Sequence, residues 1–303
     1  MPVPAAIALS LTGVFLLDVM AVIVKLLSDR FPAWELATFR NLFGLIPCVI
    51  LLTLTPSWRG SGRVWRFPRW PLAFLRGGFV IAAQVCFYLG LARLEFATAA
   101  TLAFAMPLFV TLLSVPVLGA RVGAWRWAAV AIGFAGIVLV MQPGTDLFTW
   151  AALLPVMAAL GYASATITAK VFDPSVPSAL INLYSTSTAC LGATAITMAS
   201  GGFVPVESLA EAGWIVAMGV VGGSGVLCLI TAYRMTEASN LAPFDYFGIL
   251  FAIGLGWAIF GEAPFDRLFP GALFVVAGGL IIVWRERQRA RTPAPPKPTA
   301  IAE

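Results

Sequence analysis

GVFLLDVMAVIVKLLSDRFPAWELATFRNLFGLIP, from Gly13 to Pro47, decides how the chain is read. It holds two apolar runs joined at Ser28-Asp29-Arg30-Phe31-Pro32, with Asp18 and Lys25 in the first run and Glu35 and Arg40 in the second. Four charges stand where hydrocarbon would be expected. Drawn as antiparallel membrane helices, the runs put residues equidistant from the turn opposite each other, so Lys25 lies level with Glu35 and Asp18 roughly level with Arg40. The charges can then pair.

The rest of the chain repeats this character. With 303 residues, 60% hydrophobic and only 11% charged, it has more apolar surface than a soluble core can bury. Apolar segments of about 20 residues recur throughout, the length that crosses ~30 Å of hydrocarbon. Ten spans fit: 5–27, 33–54, 71–92, 97–118, 125–142, 148–170, 178–200, 211–232, 241–260 and 268–284. The fold expected is an all-α integral membrane protein. Most of its nineteen Lys and Arg residues fall in alternate connections, including Arg59, Arg63, Arg66, Arg69, Arg76, Arg121 and Arg126, and in the C-terminal segment. The positive-inside rule then places both termini in the cytoplasm of a bacterial cell, with the chain in the inner membrane. The net charge of +5 accordingly meets a lipid surface, not nucleic acid.

Residues 56–70, PSWRGSGRVWRFPRW, interleave Arg with Trp58, Trp65 and Trp70, a pattern that suits the headgroup layer when membrane spans flank it. After Trp284 the sequence turns to RERQRARTPAPPKPTAIAE, expected to be a disordered basic cytoplasmic tail over 285–303. The N-terminal run lacks a basic start and contains Asp18, so it reads as a retained first span and not a signal peptide. Cys48, Cys86, Cys190 and Cys228 lie inside apolar spans without CxxC spacing. Neither a metal site nor a disulfide framework is indicated.

An internal repeat is the most informative feature. A shift of 145 residues lays AVIVKLLSDRFPAWEL (21–36) over TITAKVFDPSVPSALI (166–181), matching Lys25 with Lys170 and Pro32 with Pro177. Further along, Arg93 meets Arg234, Gly119 meets Gly261, and AGIVLV (135–140) meets GGLIIV (278–283). The halves are 5–142 and 148–284, five spans each. Because five is odd, the second half must enter the membrane upside down, giving two inverted five-helix repeats of the kind secondary carriers use.

The residues carrying this repeat also resemble a known family. Arg93-Leu-Glu-Phe-Ala-Thr-Ala through Met106-Pro107-Leu108-Phe109 to Leu118-Gly119-Ala120-Arg121 resembles the fourth span of the EamA domain of the drug/metabolite transporter superfamily. Tyr233-Arg-Met-Thr-Glu-Ala to Phe260-Gly261-Glu262, with AGGLIIVWRE (277–286), is similar to its second copy. Ala120-Arg121 stands where that superfamily usually has Gly-Glu-Arg, whereas Gly261-Glu262 keeps the acid. LLDVMAVIVKLLSDRFPAWELATFR together with LAPFDYFGILFAIGLGWAIFGE (241–262) is similar to a bacterial branch that includes riboflavin and S-adenosylmethionine carriers. The resemblance implies a carrier working by alternating access without a cofactor. It puts riboflavin first as substrate, with S-adenosylmethionine, amino acids or other metabolites as alternatives, and leaves the direction of transport open.

Several residues stand out as binding or coupling candidates. A charge at mid-membrane costs roughly 3 kcal/mol on insertion scales, so Asp18 needs compensation. It is either half of a fixed pair with Arg40 or a carboxylate that meets substrate or a proton. The repeat puts Ala163 opposite Asp18 and Ser185 opposite Arg40, so this pair occurs once. Lys25, Lys170 and Glu35 sit near helix ends, where snorkelling or mutual pairing gives them a structural role. Asp245 follows Pro243 near a helix start among Phe244, Tyr246 and Phe247. It is either stabilised by the helix dipole or set among aromatic faces to bind a heteroaromatic or cationic ligand. Phe104 precedes Met106-Pro107 in the span that corresponds to it, and proline there loosens the backbone beside protein or a watery cavity. Gln84, Tyr162, Asn182 and Tyr184 either line that cavity or join helices, and Gly219, Gly222, Gly223 and Gly225 permit close approach.

An integral-membrane enzyme is the alternative from another class. With no histidine and no close carboxylate cluster in the spans, a metal-dependent transferase or hydrolase lacks its ligands. No GxxxxGK[ST] motif is present either, so a carrier would draw on proton coupling or exchange.

Overall fold

The computed structural model describes residues 3–60, 62, 65–120, 122–143, 148–173, 176–236, 241, 244–262 and 268–291. Arg63, Arg121, Pro243 and the tail 292–303 lie outside them. The first sequence half contributes α1 (Val3–Leu27), α2 (Ala33–Leu54), the short α3 (Pro56–Gly60), α4 (Trp70–Leu91), α5 (Phe96–Ala103), α6 (Met106–Leu118) and α7 (Ala124–Met141). The second contributes a 3-10 turn, Trp150–Ala152, leading into α8 (Leu153–Ala169), then α9 (Ser178–Ala199), α10 (Leu209–Met235), α11 (Phe247–Phe260) and α12 (Gly271–Arg291). Six helical segments are long and apolar enough to cross a membrane: Pro4–Leu27, Ala33–Leu54, Trp70–Leu91, Phe96–Leu118, Trp150–Ala169 and Leu209–Ala232. The protein is thus an all-helical, multi-pass membrane protein.

Side chains facing outward are apolar too. Leu42, Ile46, Val49 and Ile50 on α2 and Leu250 and Trp257 on α11 are exposed, as expected of helices that meet lipid on one side and protein on the other. Trp58 departs from the expected headgroup position. It is buried with Leu52, Phe67, Phe172 and Leu180 under the α2–α4 connection, while Trp65 and Trp70 stay exposed.

The turn at 28–32 does not produce the facing hairpin that the sequence suggests. α1 packs along α10 and touches α11, whereas α2 packs along α9 and α10. α10 lies against both helices of the supposed hairpin. The other principal contacts pair α4 with α8, α4 with α9, α6 with α8 and α7 with α12. Exchanging the halves maps these contacts onto one another: first helix on third in both directions, second on second, fifth on fifth, and fourth on first.

Close approach at α1–α10 depends on glycine. A Cβ on Gly225 would lie 3.0 Å from the Gly13 carbonyl oxygen, and one on Gly13 2.9 Å from that of Gly225. Gly225→Leu is therefore expected to push the helices apart, at a cost of at least the ~1–3 kcal/mol of an overpacked core. Thermal unfolding in detergent should show a clearly lowered midpoint; an unchanged midpoint would mean the crossing tolerates the added volume.

Two helices are broken at corresponding places. Phe104 and Ala105 separate α5 from α6, with Pro107 in the first turn of α6, where its missing N–H costs no helical bond. In the second half the backbone leaves α-helix at Tyr246, just before α11. The breaks meet, with the Phe104 and Tyr246 rings 5.7 Å apart.

Candidate functional site

A cavity of about 390 Å³ lies among α1, α2, α4, α8, α9 and α10, with Ala103 and Met106 from the α5–α6 break also at its wall. Its lining takes Leu17 to Ala21 of α1, Arg40 to Leu51 of α2 and Arg76 to Tyr88 of α4, and on α2 it reaches well away from the 28–32 turn. The volume falls in the range of small-molecule sites. Asp18, Arg40, Gln84 and Tyr162 line it, as does Asn182.

Asp18 and Arg40 reach the same cavity without pairing. Among the described residues the Asp18 carboxylate makes no ion pair, and its Oδ2 is sealed from solvent with no hydrogen-bond partner. Arg40 donates from Nη1 to Asn41 Oδ1 at 3.2 Å, and its buried Nε has no acceptor. Arg76 donates from Nε to the Ala165 carbonyl at 3.1 Å, leaving its buried Nη1 without one. The sequence places Arg76 near the start of the third span, next to the basic flank, and so hides it as a site residue. The signal was periodicity, since Arg76, Val80, Gln84 and Tyr88 fall on one helical face and all line the cavity.

The polar neighbours are already committed. Gln84 and Asn41 exchange two side-chain bonds, 2.6 Å from Asn41 Nδ2 to Gln84 Oε1 and 3.2 Å in the other direction. Asn41 also donates to the Ala37 carbonyl. The Tyr88 hydroxyl meets Met20 Sδ at 3.8 Å, and Asn182 Nδ2 meets Cys48 Sγ at 3.7 Å.

The other candidates lie elsewhere. Tyr184 donates to the Trp65 carbonyl at 3.2 Å and packs against Phe67 and Phe74, near the loops. Asp245 accepts from Ser10 Oγ at 3.1 Å. Phe104 and Tyr246 meet with tilted rings at the helix breaks beside, not in, the cavity lining.

The 28–32 turn marks an end of the bundle where charges do pair. Lys25 does not pair with Glu35. It bonds Glu262 Oε1 at 2.5 Å and the Leu94 carbonyl at 2.8 Å, with its ammonium 4.8 Å from the Phe260 ring centroid. Glu262 Oε2 also accepts from the Phe96 N–H at 2.6 Å, at the start of α5. Glu35 instead accepts from the Val204 N–H. The reason is the packing: α1 and α2 diverge after the turn, so Lys25 finds its partners in the α4–α5 connection and just past α11, and Glu35 finds its own in the α9–α10 connection. Arg30 binds Glu207 at 2.8 Å and Glu211 at 2.6 Å, tying the turn to the start of α10. Lys170, the repeat partner of Lys25, is exposed at the end of α8.

Residues 4–142 and 149–284 each match the EamA-like transporter family. A riboflavin transporter of Rhizobium johnstonii is 34% identical over 207 residues, covering 68% of this chain and 67% of the relative. A pseudopaline exporter of Pseudomonas aeruginosa is 28% identical over 280 residues, covering 92% and 93%. An S-adenosylmethionine uptake transporter of Rickettsia felis is 27% identical over 285 residues, covering 92% and 94%. A solved protein structure superposes with a TM-score of 0.64 at 19% identity over 95% of this chain and 99% of that one, which supports the fold alone.

Proposed function

Because the chain belongs to the EamA-like transporter family, we propose that it is a secondary carrier moving a small polar metabolite across the inner membrane by alternating access. The observation that carries this reading is an asymmetry within a symmetric packing. The principal contacts between the halves keep their pattern when the halves are exchanged, yet the cavity runs towards one end while Lys25–Glu262 and the Arg30 pairs gather at the other. A symmetric bundle held closed at one end has an alternative conformation related by exchanging the roles of its halves. In this reading ten crossing segments form two inverted repeats, 5–142 and 148–284, with both termini and the basic tail cytoplasmic and the Lys25–Glu262 end facing outward.

Purified protein in liposomes should take up labelled substrate saturably, above the rate of protein-free vesicles. Conversion of the solute instead of its movement would favour an enzyme, and neither would leave a scaffold. Similarity favours riboflavin as substrate, through the Rhizobium johnstonii relative. Growth of a riboflavin-auxotrophic, transport-deficient bacterium at limiting riboflavin decides that assignment, and failure to grow despite confirmed membrane expression removes it. A charged metabolite is the second reading, favoured by the unpaired charges in the cavity.

A further inference from the structure

We infer that the cavity selects a zwitterion, with Arg40 and Arg76 receiving an acidic group and Asp18 a cationic nitrogen or sulfonium. This deepens the carrier reading, rests on it, and favours the charged-metabolite reading of the substrate over riboflavin. Three charged side chains from three helices converge on one cavity, and each retains a sealed polar atom without a partner, namely Asp18 Oδ2, Arg40 Nε and Arg76 Nη1. Mutual neutralisation is the usual remedy for buried charge, and it is absent here, since neither arginine forms an ion pair with Asp18.

Local polar groups supply the remedy only in part, through Asn41 to Arg40 Nη1 and the Ala165 carbonyl to Arg76 Nε. Gln84 and Asn41 are bonded to each other, and Asn182 is turned to Cys48. Charge held this way is costly, and the cost is relieved when a group of opposite charge enters. Two guanidiniums match a planar oxyanion such as a carboxylate. One carboxylate matches a single cation. A neutral heteroaromatic solute would fill the volume but leave all three charges unmatched, and a solute with one sign of charge would leave part of the set unmatched. Sites whose polar groups are left unpaired by an analogue reject it strongly.

The test is counterflow into proteoliposomes of the full-length protein, using labelled S-adenosylmethionine, lysine and glutamate as zwitterions, riboflavin as a neutral solute, succinate as an anion and putrescine as a cation. Counterflow of at least one zwitterion is expected, with its decarboxylated analogue showing a KM higher by roughly 100-fold or more. Arg76→Gln should raise the KM for the zwitterion and leave that for the decarboxylated analogue unchanged. Arg76→Lys, which keeps the charge, should recover part of the loss and controls for misfolding. Counterflow of riboflavin, succinate or putrescine with none of the zwitterions would overturn the inference and leave the carrier standing. No counterflow of any solute would overturn both.

Discussion

Asp18→Asn is expected to abolish substrate accumulation driven by a pH gradient in proteoliposomes, in either orientation of the gradient, without reducing the protein recovered in the membrane. Asp18 is the carboxylate of the cavity, and the charged or titratable groups that share its lining are Arg40, Arg76, Tyr88 and Tyr162, along with Cys48. None of them holds it in an ion pair or hydrogen bond. A carboxylate so placed can exchange a proton for a cationic group of the substrate, which ties the two movements together. Asparagine keeps the shape and removes that exchange. The measurement compares accumulation of the substrate with and without an imposed gradient, and undiminished gradient-driven accumulation by the variant would remove Asp18 from coupling. Insertion should survive, because the substitution deletes an unpaired charge whose presence costs roughly 3 kcal/mol on insertion scales.

The second large effect is expected at the other end of the bundle. Lys25→Met should favour the conformation in which the end near the 28–32 turn opens. The side chains of Lys25 and Glu262 are only 14% and 20% exposed, so their pair is less screened than a surface pair, and losing one partner of a buried pair typically costs ~3–5 kcal/mol. Part of that loss appears as a shift in population, on the order of tenfold or more. Labelling of a cysteine introduced at Ala21, in a background without the native cysteines, reads the shift when an impermeant maleimide is applied from that side. Glu262→Gln should open this end less than Glu262→Ala does. Glutamine still accepts the Phe96 N–H at the start of α5, whereas alanine loses both partners. Equal labelling in wild type and variants would show that these contacts do not hold this end closed.

The repeat explains why such a device stands at one end only. Glu262 follows Gly261 in the second half, while the matching place after Gly119 is Ala120. Lys25 therefore finds a carboxylate, and Lys170, its counterpart, is left exposed at a helix end.

Of the eight binding or coupling candidates legible in the sequence, Asp18, Arg40, Gln84 and Tyr162 line the cavity, whereas Phe104, Tyr184, Asp245 and Tyr246 do not. The first four are legible because a charge or polar group inside an apolar run is visible one residue at a time. Arg76 was hidden by its flank, since four other arginines from Arg59 to Arg69 make it look like one more interfacial anchor. Only its alignment with Gln84 and Tyr88 on one face of α4 separates it from them. Phe104 was legible beside the Met106-Pro107 irregularity and Tyr246 as an aromatic near a helix start, but their contact across the halves was not.

The sequence by itself determined the membrane class, the helical character, the twofold repeat and the family, because apolar length, period and local motifs are properties of consecutive residues. It could not determine which charges meet. The helices α1 and α2, adjacent in sequence, are not here adjacent in space, because α10 is packed against both. That arrangement gave Lys25 to Glu262 and Glu35 to Val204, and it left Asp18, Arg40 and Arg76 facing one cavity, each with a sealed polar atom that has no hydrogen-bond partner. Tertiary packing decided this because glycine-lined close approach and the exchange of contacts between halves depend on residues some two hundred positions apart, as at Gly13 and Gly225.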